Sequence, residues 1–412
     1  MRVLNVNKYY YLRGGAERYF FQLAHLLESR GHEVIPFAMK GERNEPSDYE
    51  PYFVSEIDFR SQDSWTGRLR ASGRVLYSLE ARRRIEDLVR DTRPDVAHLH
   101  NIAHQLSPSI LGPLRMAGMR VVQTLHDYKL VCPTYRLYVD GQVCERCRGG
   151  RYFEAIRHRC NQGSWRASFL NAVEMTLHHW ILTSYRRIDA FVAPSRFMKQ
   201  KVVEFGIPER KVMYLPLYLD LSEFADSAEN GDAVVYVGRL SDEKGLLTLL
   251  RAMAEVPGAS LVIVGEGPME ETLRQEAERS APGRVNFTGY LDGPELKSVV
   301  GSARCVVVPS EWYENSPLTI FESFALGRPV VGSRIGGIPE FVIHEQTGLL
   351  FDPGDVEGLA ENLRRLVDDP GLARELGREA RTYIEALTDR ERHLAGLERV
   401  YRDAPEADSG PV

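Results

Sequence analysis

Short apolar runs alternate with longer amphipathic segments along nearly the whole chain, and this alternation limits the fold more than any other feature. Short apolar runs favour buried strands, and amphipathic segments favour helices that cover the faces of a parallel sheet. The predicted strands of the first half are residues 2–7, 32–39, 95–101, 120–127, 189–194 and 212–216. Those of the second half are residues 233–240, 260–265, 285–290, 305–310, 329–333 and 348–351. The sequence therefore predicts an α/β protein.

The chain is too long for a single hydrophobic core. Its 412 residues exceed the usual domain size, which suggests two domains. The predicted parts are a first Rossmann-like domain over residues 1–216, an acidic linker over residues 217–232 and a second Rossmann-like domain over residues 233–387. We expect a last helix, at about residues 388–403, to pack back on the first domain. A disordered tail is expected at residues 404–412.

Charge and hydropathy exclude several classes of protein. The formal net charge of -6 gives no global attraction to a polyanion, so nucleic acid is not expected as a partner. No apolar run approaches the roughly 20 residues that span a bilayer, and a strand-like segment rather than a signal peptide follows Met1. These features predict a cytoplasmic protein.

Two local features suit peripheral contact with the inner face of a cell membrane. One is the crowding of three tyrosines at residues 9–11. The other is a helical stretch whose basic residues are Arg68, Arg70, Arg74, Arg82, Arg83 and Arg84. Basic and aromatic side chains are typical of proteins that bind anionic membrane surfaces. A solvated helix face, balanced by Glu80, Glu86 and Asp87, explains the arginines equally well.

Two loops of the second half have the composition of a phosphate site. Loops after parallel strands form the ligand-binding edge of such sheets. The segment GRLSDEKG, residues 238–245, follows a strand and places Arg239 and Lys244 five residues apart. Two such cations can hold a diphosphate from two sides. Alternatively they are solvated or pair with neighbouring acids. In VGEGP, residues 264–268, Gly265 allows a close approach of the backbone to a ligand.

The segment EWYENSPLTIFE, residues 311–322, predicts a loop that leads into a helix. Ser316 suits the N-cap and Pro317 the first helical position. The backbone amides near Leu318 and Thr319 would then form an anion site at the start of the helix. The turn GGIPE, residues 336–340, again follows a strand and opens a short helix, although a simple tight turn also explains it.

Two of the three glutamates in the same segment have seven residues between them. Glu314 falls in the loop and Glu322 on the second helical turn, so they can reach different parts of one ligand. A carboxylate accepts paired hydrogen bonds from the vicinal hydroxyls of a ribose or a hexose. A glycosidase-like acid and nucleophile, or two glutamates on a helix surface, are the alternatives.

Four of the five cysteines form a compact pattern in the first half. They are Cys132, Cys144, Cys147 and Cys160, with the spacing C-x11-C-x2-C-x12-C. This spacing favours a structural zinc site, which would order an insert at residues 128–163 that is poor in aliphatic side chains. A disulfide pair, unbound thiols and an iron–sulfur cluster are the alternatives. Cys305 stands apart in an apolar run.

The ordered set GRLSDEKG, VGEGP, EWYENSPLTIFE and GGIPE resembles the retaining glycosyltransferases of family 4. The resemblance implies the GT-B fold, in which two Rossmann-like domains face a cleft. It also implies a nucleotide-diphosphate sugar donor with uridine or guanosine as base, and no catalytic metal. By this resemblance Arg239 and Lys244 hold the diphosphate, Glu322 the ribose and Glu314 the transferred sugar, while the backbone near Leu291 faces the base.

The resemblance also assigns two residues of the first domain. Gly15, in a glycine pair that opens the first helix, would approach the diphosphate, and His126, at a strand end, would lie beside the donor sugar. From the residues alone, a turn and a satisfied core histidine are the simpler interpretations.

The implied activity is retaining transfer of a hexose-type sugar to a sugar, lipid-linked or small-molecule hydroxyl. The expected setting is polysaccharide, glycolipid or glycoconjugate synthesis. A GT-B nucleotide-sugar epimerase and a non-catalytic, zinc-stabilised binding protein are the alternatives.

Overall fold

In the computed structural model of the protein, residues 1–56, 65–224 and 231–402 are described, with the backbone alone over residues 65–70. The chain divides into two compact units. The first contains residues Met1–Leu137, Glu145–Tyr218 and the C-terminal segment from Arg390, and the second contains Tyr138–Cys144 and Leu219–Asp389. The predicted tail and residues 225–230 of the predicted linker lie outside the described residues, as do the side chains of Arg68 and Arg70.

The first unit is built on a parallel sheet of six strands. Residues 1–218 form the strands β1 (Arg2–Val6), β2 (Glu33–Phe37), β3 (Val96–Leu99), β4 (Arg120–Thr124), β5 (Tyr138–Val139), β6 (Gln142–Val143), β7 (Ala190–Ala193) and β8 (Val212–Tyr214). The order in the sheet is β2-β1-β3-β4-β7-β8, and β5 and β6 form a separate antiparallel hairpin. The strands are apolar because both faces are covered: Val3, Leu4 and Val6 are fully buried.

Helices follow most of these strands. They are α1 (Gly15–Glu28), α2 (Trp65–Leu76), α3 (Leu79–Thr92), α4 (Leu111–Met116), α5 (Phe153–Arg157), α6 (Trp165–Thr176) and α7 (Arg196–Glu204). Serine side chains fix several of the starts. The hydroxyl oxygen of Ser78 accepts from the amide of Ala81, and that of Ser195 accepts from the amide of Met198, as N-caps do.

The second unit repeats the architecture with a different strand order. Its strands are β9 (Ala233–Val237), β10 (Ser260–Val264), β11 (Val285–Gly289), β12 (Cys305–Val308), β13 (Val330–Ser333) and β14 (Gly348–Phe351). The order β11-β10-β9-β12-β13-β14 is that of a Rossmann sheet. Its helices are α8 (Leu246–Ala254), α9 (Glu270–Ser280), α10 (Gly293–Gly301), α11 (Leu318–Ala325), α12 (Ile338–Phe341), α13 (Val356–Asp368) and α14 (Pro370–Leu387).

A last helix, α15 (Arg390–Arg402), belongs to the first unit. The phenol oxygen of Tyr401 lies 2.7 Å from Nδ1 of His98 in β3, and Nε of Arg120 in β4 donates to the carbonyl of Val400 at 2.6 Å. Tyr401 is 5% exposed and Val400 fully buried. Helix α15 therefore packs on the first sheet.

Each sheet has a point where the strand order reverses. In the second unit the chain adds β10 and β11 on one side of β9 and then returns to its other side with β12. In the first unit the reversal lies between β1 and β3. The loops at the carboxyl ends of these strands diverge and leave room for ligands. A ligand site is therefore expected at these two places.

None of the helices in the described part of the chain combines the length and the apolar character that crossing a bilayer requires.

Candidate active site

The loop after β9 meets its neighbouring loops through backbone contacts that only glycine permits. A Cβ atom on Gly265, after β10, would lie 2.0 Å from the carbonyl oxygen of Gly238. One on Gly245 would lie 1.8 Å from the carbonyl oxygen of Pro309, after β12, and Gly245 also has a φ of +68°. Side chains do not fit at these places and the conformation itself favours glycine. The GRLSDEKG and VGEGP segments are thus packed together at the switch point.

A buried ion pair links the loops after β9 and β12. Nζ of Lys244, at the end of a 3₁₀ turn, lies 2.6 Å from Oε1 of Glu314. The hydroxyl of Ser310 donates to the same oxygen at 2.6 Å, and Lys244 lies over the ring of Trp312 at 5.0 Å. The sequence predicted Lys244 and Glu314 as site residues. Their pairing and the contribution of Ser310 were not predicted.

Glu314 is ionised despite its burial. It is 6% exposed, and burial alone would raise the pKa of its carboxyl. The charge of Lys244, together with the hydrogen bonds from Lys244 and Ser310, outweighs burial and lowers the pKa of Glu314 below its usual value. An ionised carboxylate only accepts hydrogen bonds. Glu314 is therefore suited to binding hydroxyls and cations and unsuited to donating a proton.

The turn GGIPE contacts the backbone of Glu314. The amide of Gly337 donates to the carbonyl oxygen of Glu314 at 2.7 Å. A Cβ on Gly336, which has a φ of +60°, would lie 2.4 Å from that oxygen. The two glycines therefore hold the backbone of the Glu314 loop in place.

Helix α11 begins one residue later than predicted. Pro317, not Ser316, occupies the N-cap, because its ψ of 113° is extended, and Leu318 is the first helical residue. No described side chain caps this helix, so the amides of its first turn lack the usual side-chain acceptor. The hydroxyl of Ser316 is buried and has no hydrogen-bond partner among the described residues. Leu318, Thr319 and Ser316 therefore present polar groups at the switch point.

The other predicted residues of this unit lie on the strand-end loops or on α11. Arg239 is exposed and forms no ion pair within the described ranges. Glu322 is half-buried on the second turn of α11, as the spacing predicts. Leu291 is half-buried in the loop after β11, next to Tyr290, which is 54% exposed.

Three histidines line the carboxyl ends of β3 and β4 in the first unit. The rings of His98 and His100 stack at 4.6 Å, and those of His100 and His126 at 5.2 Å. Burial lowers the pKa of His98 and of His126 to about 3, and it lowers the pKa of His100 well below the usual value. All three are neutral at physiological pH. The sequence predicted only His126, although the alternate pair His98 and His100 at the end of a strand was a visible signal.

Hydrogen bonds determine which nitrogen of His126 is available. Nδ2 of Asn5 donates to the carbonyl of Phe20, so its Oδ1 is the atom that accepts from Nε2 of His100 at 2.9 Å. Neutral His100 then carries no proton on Nδ1, and it must accept there from Nε2 of His126 at 2.9 Å. His126 is left with an unprotonated Nδ1. It can accept a hydrogen bond from a hydroxyl.

Gly14 and Gly15 lie at the start of α1. Gly14 is the N-cap and Gly15 the first helical residue, and both are exposed. No described side chain caps the helix. The carboxylate of Glu17 accepts from Nδ2 of Asn7 at 3.2 Å, beside the same switch point. Gly15 thus stands where its amide can face a ligand.

The four cysteines of the insert form no disulfide among the described residues. Cys147 packs with Tyr152, Ala155 and Met175, and Cys160 packs against the same cluster. Cys144 belongs to the hairpin segment grouped with the second unit. Within the described ranges, no three His, Cys, Asp or Glu side chains are arranged to hold a metal. Zinc binding stays a prediction from the spacing.

A separate cavity of about 630 Å³ lies in the first unit. Of the predicted site residues only Cys147 lines it, together with Tyr152, His179, Trp180 and Phe191 among others. The cavity is therefore distinct from the strand-end residues described above.

Some residues of the two features predicted to contact a membrane are used in internal contacts. Tyr10 packs against Phe20, Phe21 and Phe53. Among the arginines, Arg74 pairs with Glu80 and Arg82 pairs with Glu86. These contacts match the interpretation of a balanced helix surface.

Comparison with known families decides the class. The family model described as Glycosyltransferase Family 4 matches residues 13–223, which is more than half of the chain. The model described as Glycosyl transferases group 1 matches residues 221–383. This chain belongs to glycosyltransferase family 4.

Individual relatives agree with the family. The glycogen synthase of Mycobacterium tuberculosis (strain ATCC 25618 / H37Rv) is 28% identical over 440 residues, which cover 100% of this chain and 97% of the relative. The lipopolysaccharide core biosynthesis glycosyltransferase LpsE of Rhizobium meliloti is 26% identical over 387 residues, with 91% and 94% covered. The chain thus matches both relatives over nearly their whole length.

The fold is that of GT-B glycosyltransferases. The solved structure of Anabaena HepE in complex with UDP-glucose matches with a TM-score of 0.66 at 16% identity, covering 97% of this chain and 99% of that one. The expectation of two Rossmann-like parallel-sheet units is confirmed. At this level of identity the likeness concerns the fold alone.

Proposed function

We propose that this glycosyltransferase moves a hexose, with retention of anomeric configuration, from a nucleoside diphosphate sugar to a sugar hydroxyl in polysaccharide or glycoconjugate synthesis. The observation that carries the proposal is the Lys244–Glu314 pair at the β9/β12 switch point, 2.6 Å apart, beside the uncapped start of α11. UDP-glucose in the HepE structure supports a uridine nucleotide as the first donor to test.

Lys244 can bind a diphosphate without leaving Glu314. An ammonium group has three donors, and Glu314 takes one, which leaves two for phosphate oxygens. The amides of Leu318 and Thr319 add donors at a helix N-terminus, where the helix dipole favours anions. Arg239, exposed nearby in the same loop, adds a second cation. Together these groups stabilise the negative charge that develops as the diphosphate leaves.

Hydroxyl-binding groups complete the assignment. The second oxygen of Glu314 accepts from a hydroxyl of the transferred sugar, and the carboxylate of Glu322 accepts from the ribose. In the first unit, Nδ1 of His126 accepts from a hydroxyl of bound substrate. Neither the ionised Glu314 nor the neutral His126 is in a state to act as the proton donor. Glu314 and His126 therefore bind and orient substrate hydroxyls.

The transfer step then needs no side-chain nucleophile. The acceptor oxygen attacks the anomeric carbon on the face from which the phosphate departs, the bond between that carbon and the phosphate oxygen breaks, and the acceptor proton passes to the leaving phosphate oxygen. The positive groups around the diphosphate lower the barrier by stabilising that oxygen.

Thermal unfolding with nucleotides tests the donor site. A donor at 100 times its dissociation constant stabilises the protein by about 2.7 kcal/mol, so UDP or UDP-sugar should raise the midpoint, and GDP is the comparison. Lys244→Met should lose the shift. Lys297→Met, which removes a cation paired with the exposed Glu223 at 3.2 Å, should keep it. Shifts that survive Lys244→Met would contradict the proposal.

Product analysis tests the reaction. Nuclear magnetic resonance of the product formed from an α-linked donor should show an α linkage. A β linkage would refute retention, and donor consumption at an equal rate without acceptor would point to an epimerase instead.

We also propose a structural zinc at the four cysteines of the insert, on the basis of their spacing and of the affinity of thiolates for zinc. Protein purified without added zinc should contain about one zinc per chain. Cys147→Ser should lower the zinc content, and Cys305→Ser, at a fully buried thiol in β12, should leave it unchanged. A zinc content near zero in the unmodified protein would refute the proposal.

A further inference from the structure

The helix from Trp165 through the π turn Leu177–Ile181 buries several polar residues and exposes large aromatic ones. Beside the apolar Met175, the polar residues Ser168, Glu174 and His178 are 0% exposed and Asn171 is 5% exposed. Apolar residues normally occupy the buried side of a surface helix. Here several buried polar groups have internal partners: Oε2 of Glu174 lies 2.5 Å from Nζ of Lys129, and Nδ1 of His178 lies 2.9 Å from the hydroxyl of Ser184.

The outer side of this helix is aromatic. Trp165, Phe169 and Trp180 are 55%, 46% and 62% exposed. With Val173 and Thr176 they are spaced by four, four, three and four residues, which places them on one helix face over about 22 Å. Twelve large apolar side chains are exposed among the described residues, and five of them lie between residues 153 and 181. We call the Trp165, Phe169 and Trp180 surface the aromatic face.

The aromatic face is held in a fixed shape. Trp165 and Phe169 stack at 5.7 Å with an angle of 20° between their rings. A Cβ on Gly150 would lie 2.6 Å from the ring of Trp180, so the indole is seated on the backbone there. Rings already held in place lose little conformational freedom on binding.

The segment that carries the aromatic face is strongly basic. Residues 144–187 contain eight arginines and three acidic residues, in a chain whose net charge is -6. All eight arginines are exposed: Arg146, Arg148, Arg151, Arg157, Arg159, Arg166, Arg186 and Arg187. The acids are engaged, since Glu174 bonds to Lys129, Glu145 to Lys201 at 2.8 Å, and Glu154 lies 3.5 Å from His158.

We infer that the aromatic face is a docking surface for an anionic lipid bilayer. Tryptophan and phenylalanine bury their rings at the boundary of headgroups and acyl chains, and arginines bind the lipid phosphates around them. The inference goes beyond the proposed transfer reaction. It also assigns membrane contact to a different surface from the tyrosines and arginines singled out in the sequence.

Vesicle flotation with the full chain tests the inference without any sugar donor. The protein should float with vesicles that contain about one third phosphatidylglycerol and bind at least about tenfold less to pure phosphatidylcholine vesicles. Tryptophan emission should shift to shorter wavelength on binding. Binding that is equal for both vesicle types, or absent from both, would overturn the inference.

Two double variants separate the aromatic face from general surface hydrophobicity. Trp165→Gln/Phe169→Gln should weaken vesicle binding by at least about tenfold. Met116→Gln/Ile343→Gln, at side chains 79% and 36% exposed elsewhere, should bind as the unmodified chain does. Unchanged binding of the first variant would overturn the inference. So would a concentration-dependent dimer, lost in this variant, in a chain that binds no vesicles.

Folding and function are followed separately. Both variants should keep the thermal midpoint and the midpoint shift with UDP. If the first variant loses its midpoint, Arg157→Gln/Arg159→Gln/Arg166→Gln replaces it, and vesicle binding should again fall. Intact binding in that charge variant would contradict the inference. Because vesicle binding needs no donor, its outcome does not depend on the transfer reaction.

Discussion

The switch point of one sheet holds charged side chains, and that of the other holds neutral polar side chains. The second unit holds a buried ion pair, Lys244 with Glu314, between loops that pack closely through glycines. The first unit holds the neutral histidines His98, His100 and His126. Fixed charge suits a diphosphate, whereas neutral hydrogen-bonding groups suit hydroxyls. Similar architectures can thus be specialised for different chemical groups by the residues that follow the strands.

The largest expected effect comes from removing the charge of the second unit. Lys244→Met should lower kcat/KM by about 10³-fold, because it removes a group that stabilises the leaving diphosphate. It should also lower the free energy of unfolding by up to about 3 kcal/mol, since it leaves the buried Glu314 unpaired.

The double variant Lys244→Met/Glu314→Gln is the matched control. It should recover most of the lost stability, because no unpaired charge remains, and recover none of the activity. Chemical denaturation and steady-state kinetics measure the two effects. Normal turnover in either variant would contradict the role of Lys244 in binding the diphosphate.

The glycine contacts should be nearly as sensitive. Gly245→Ala places a Cβ 1.8 Å from the carbonyl of Pro309, so the loops after β9 and β12 must separate. We expect a loss of about 3 kcal/mol in the free energy of unfolding and a weaker response to UDP. Gly283→Ala has a similar φ of +69° and open space around it, so it should cost about 1 kcal/mol. Equal losses would show that the backbone angle alone matters.

Acid should destabilise the first unit before the second. Ten of the 11 histidines, all in described ranges, lie in the first unit. Folding lowers the pKa of His98 to about 3, so the unfolded chain binds more protons below its ordinary pKa of about 6.5, and stability falls as pH drops from there towards 3. At pH 5 the loss is about 2 kcal/mol for this histidine.

Calorimetry at pH 7 and pH 5 checks this order. The transition of the first unit should move to lower temperature, and His98→Gln should reduce the movement. His344→Gln, in the second unit, should leave it unchanged. In the second unit, Glu314 has a lowered pKa, so its contribution is lost only below about pH 4.5. A second-unit transition that falls first would contradict the assignment.

The smallest effect is expected at His126. His126→Ala removes one neutral hydrogen bond and should lower kcat/KM by about tenfold. The thermal shift with UDP, which has no sugar, should stay unchanged, in contrast to Lys244→Met. A lost UDP shift would mean that His126 supports the fold rather than the substrate.

Strand positions were predictable because strands covered on both faces have uninterrupted apolar runs. All twelve predicted strands of the two sheets are present. Several predictions extend too far: residues 233–240 were predicted where β9 ends at Val237. The apolar Leu240 continues the pattern, but Gly238, with a φ of +157°, leaves the sheet. Composition does not report backbone angles, and this overrun falls at the start of the GRLSDEKG loop.

The candidate site was predictable residue by residue and not as a network. Lys244 and Glu314 could be named from their loops, yet their contact joins positions 70 residues apart. His100, which directly follows β3, was missed because its partner Asn5 lies 95 residues away in the chain. The N-cap prediction failed because the fixed φ of proline suits the extended N-cap conformation that Pro317 adopts as well as the first helical position.

The packing of α15 on β3 and β4 has a consequence for synthesis on the ribosome. Residues 219–389 of the second unit are synthesised before α15, so the first sheet lacks its final helix until the second unit has been made. Strands β3 and β4 are therefore made long before the helix that packs on them. A chain truncated before Arg390 contains every residue of the second unit and should expose an apolar surface on the first. That surface is a natural target for chaperones and for quality control of truncated chains.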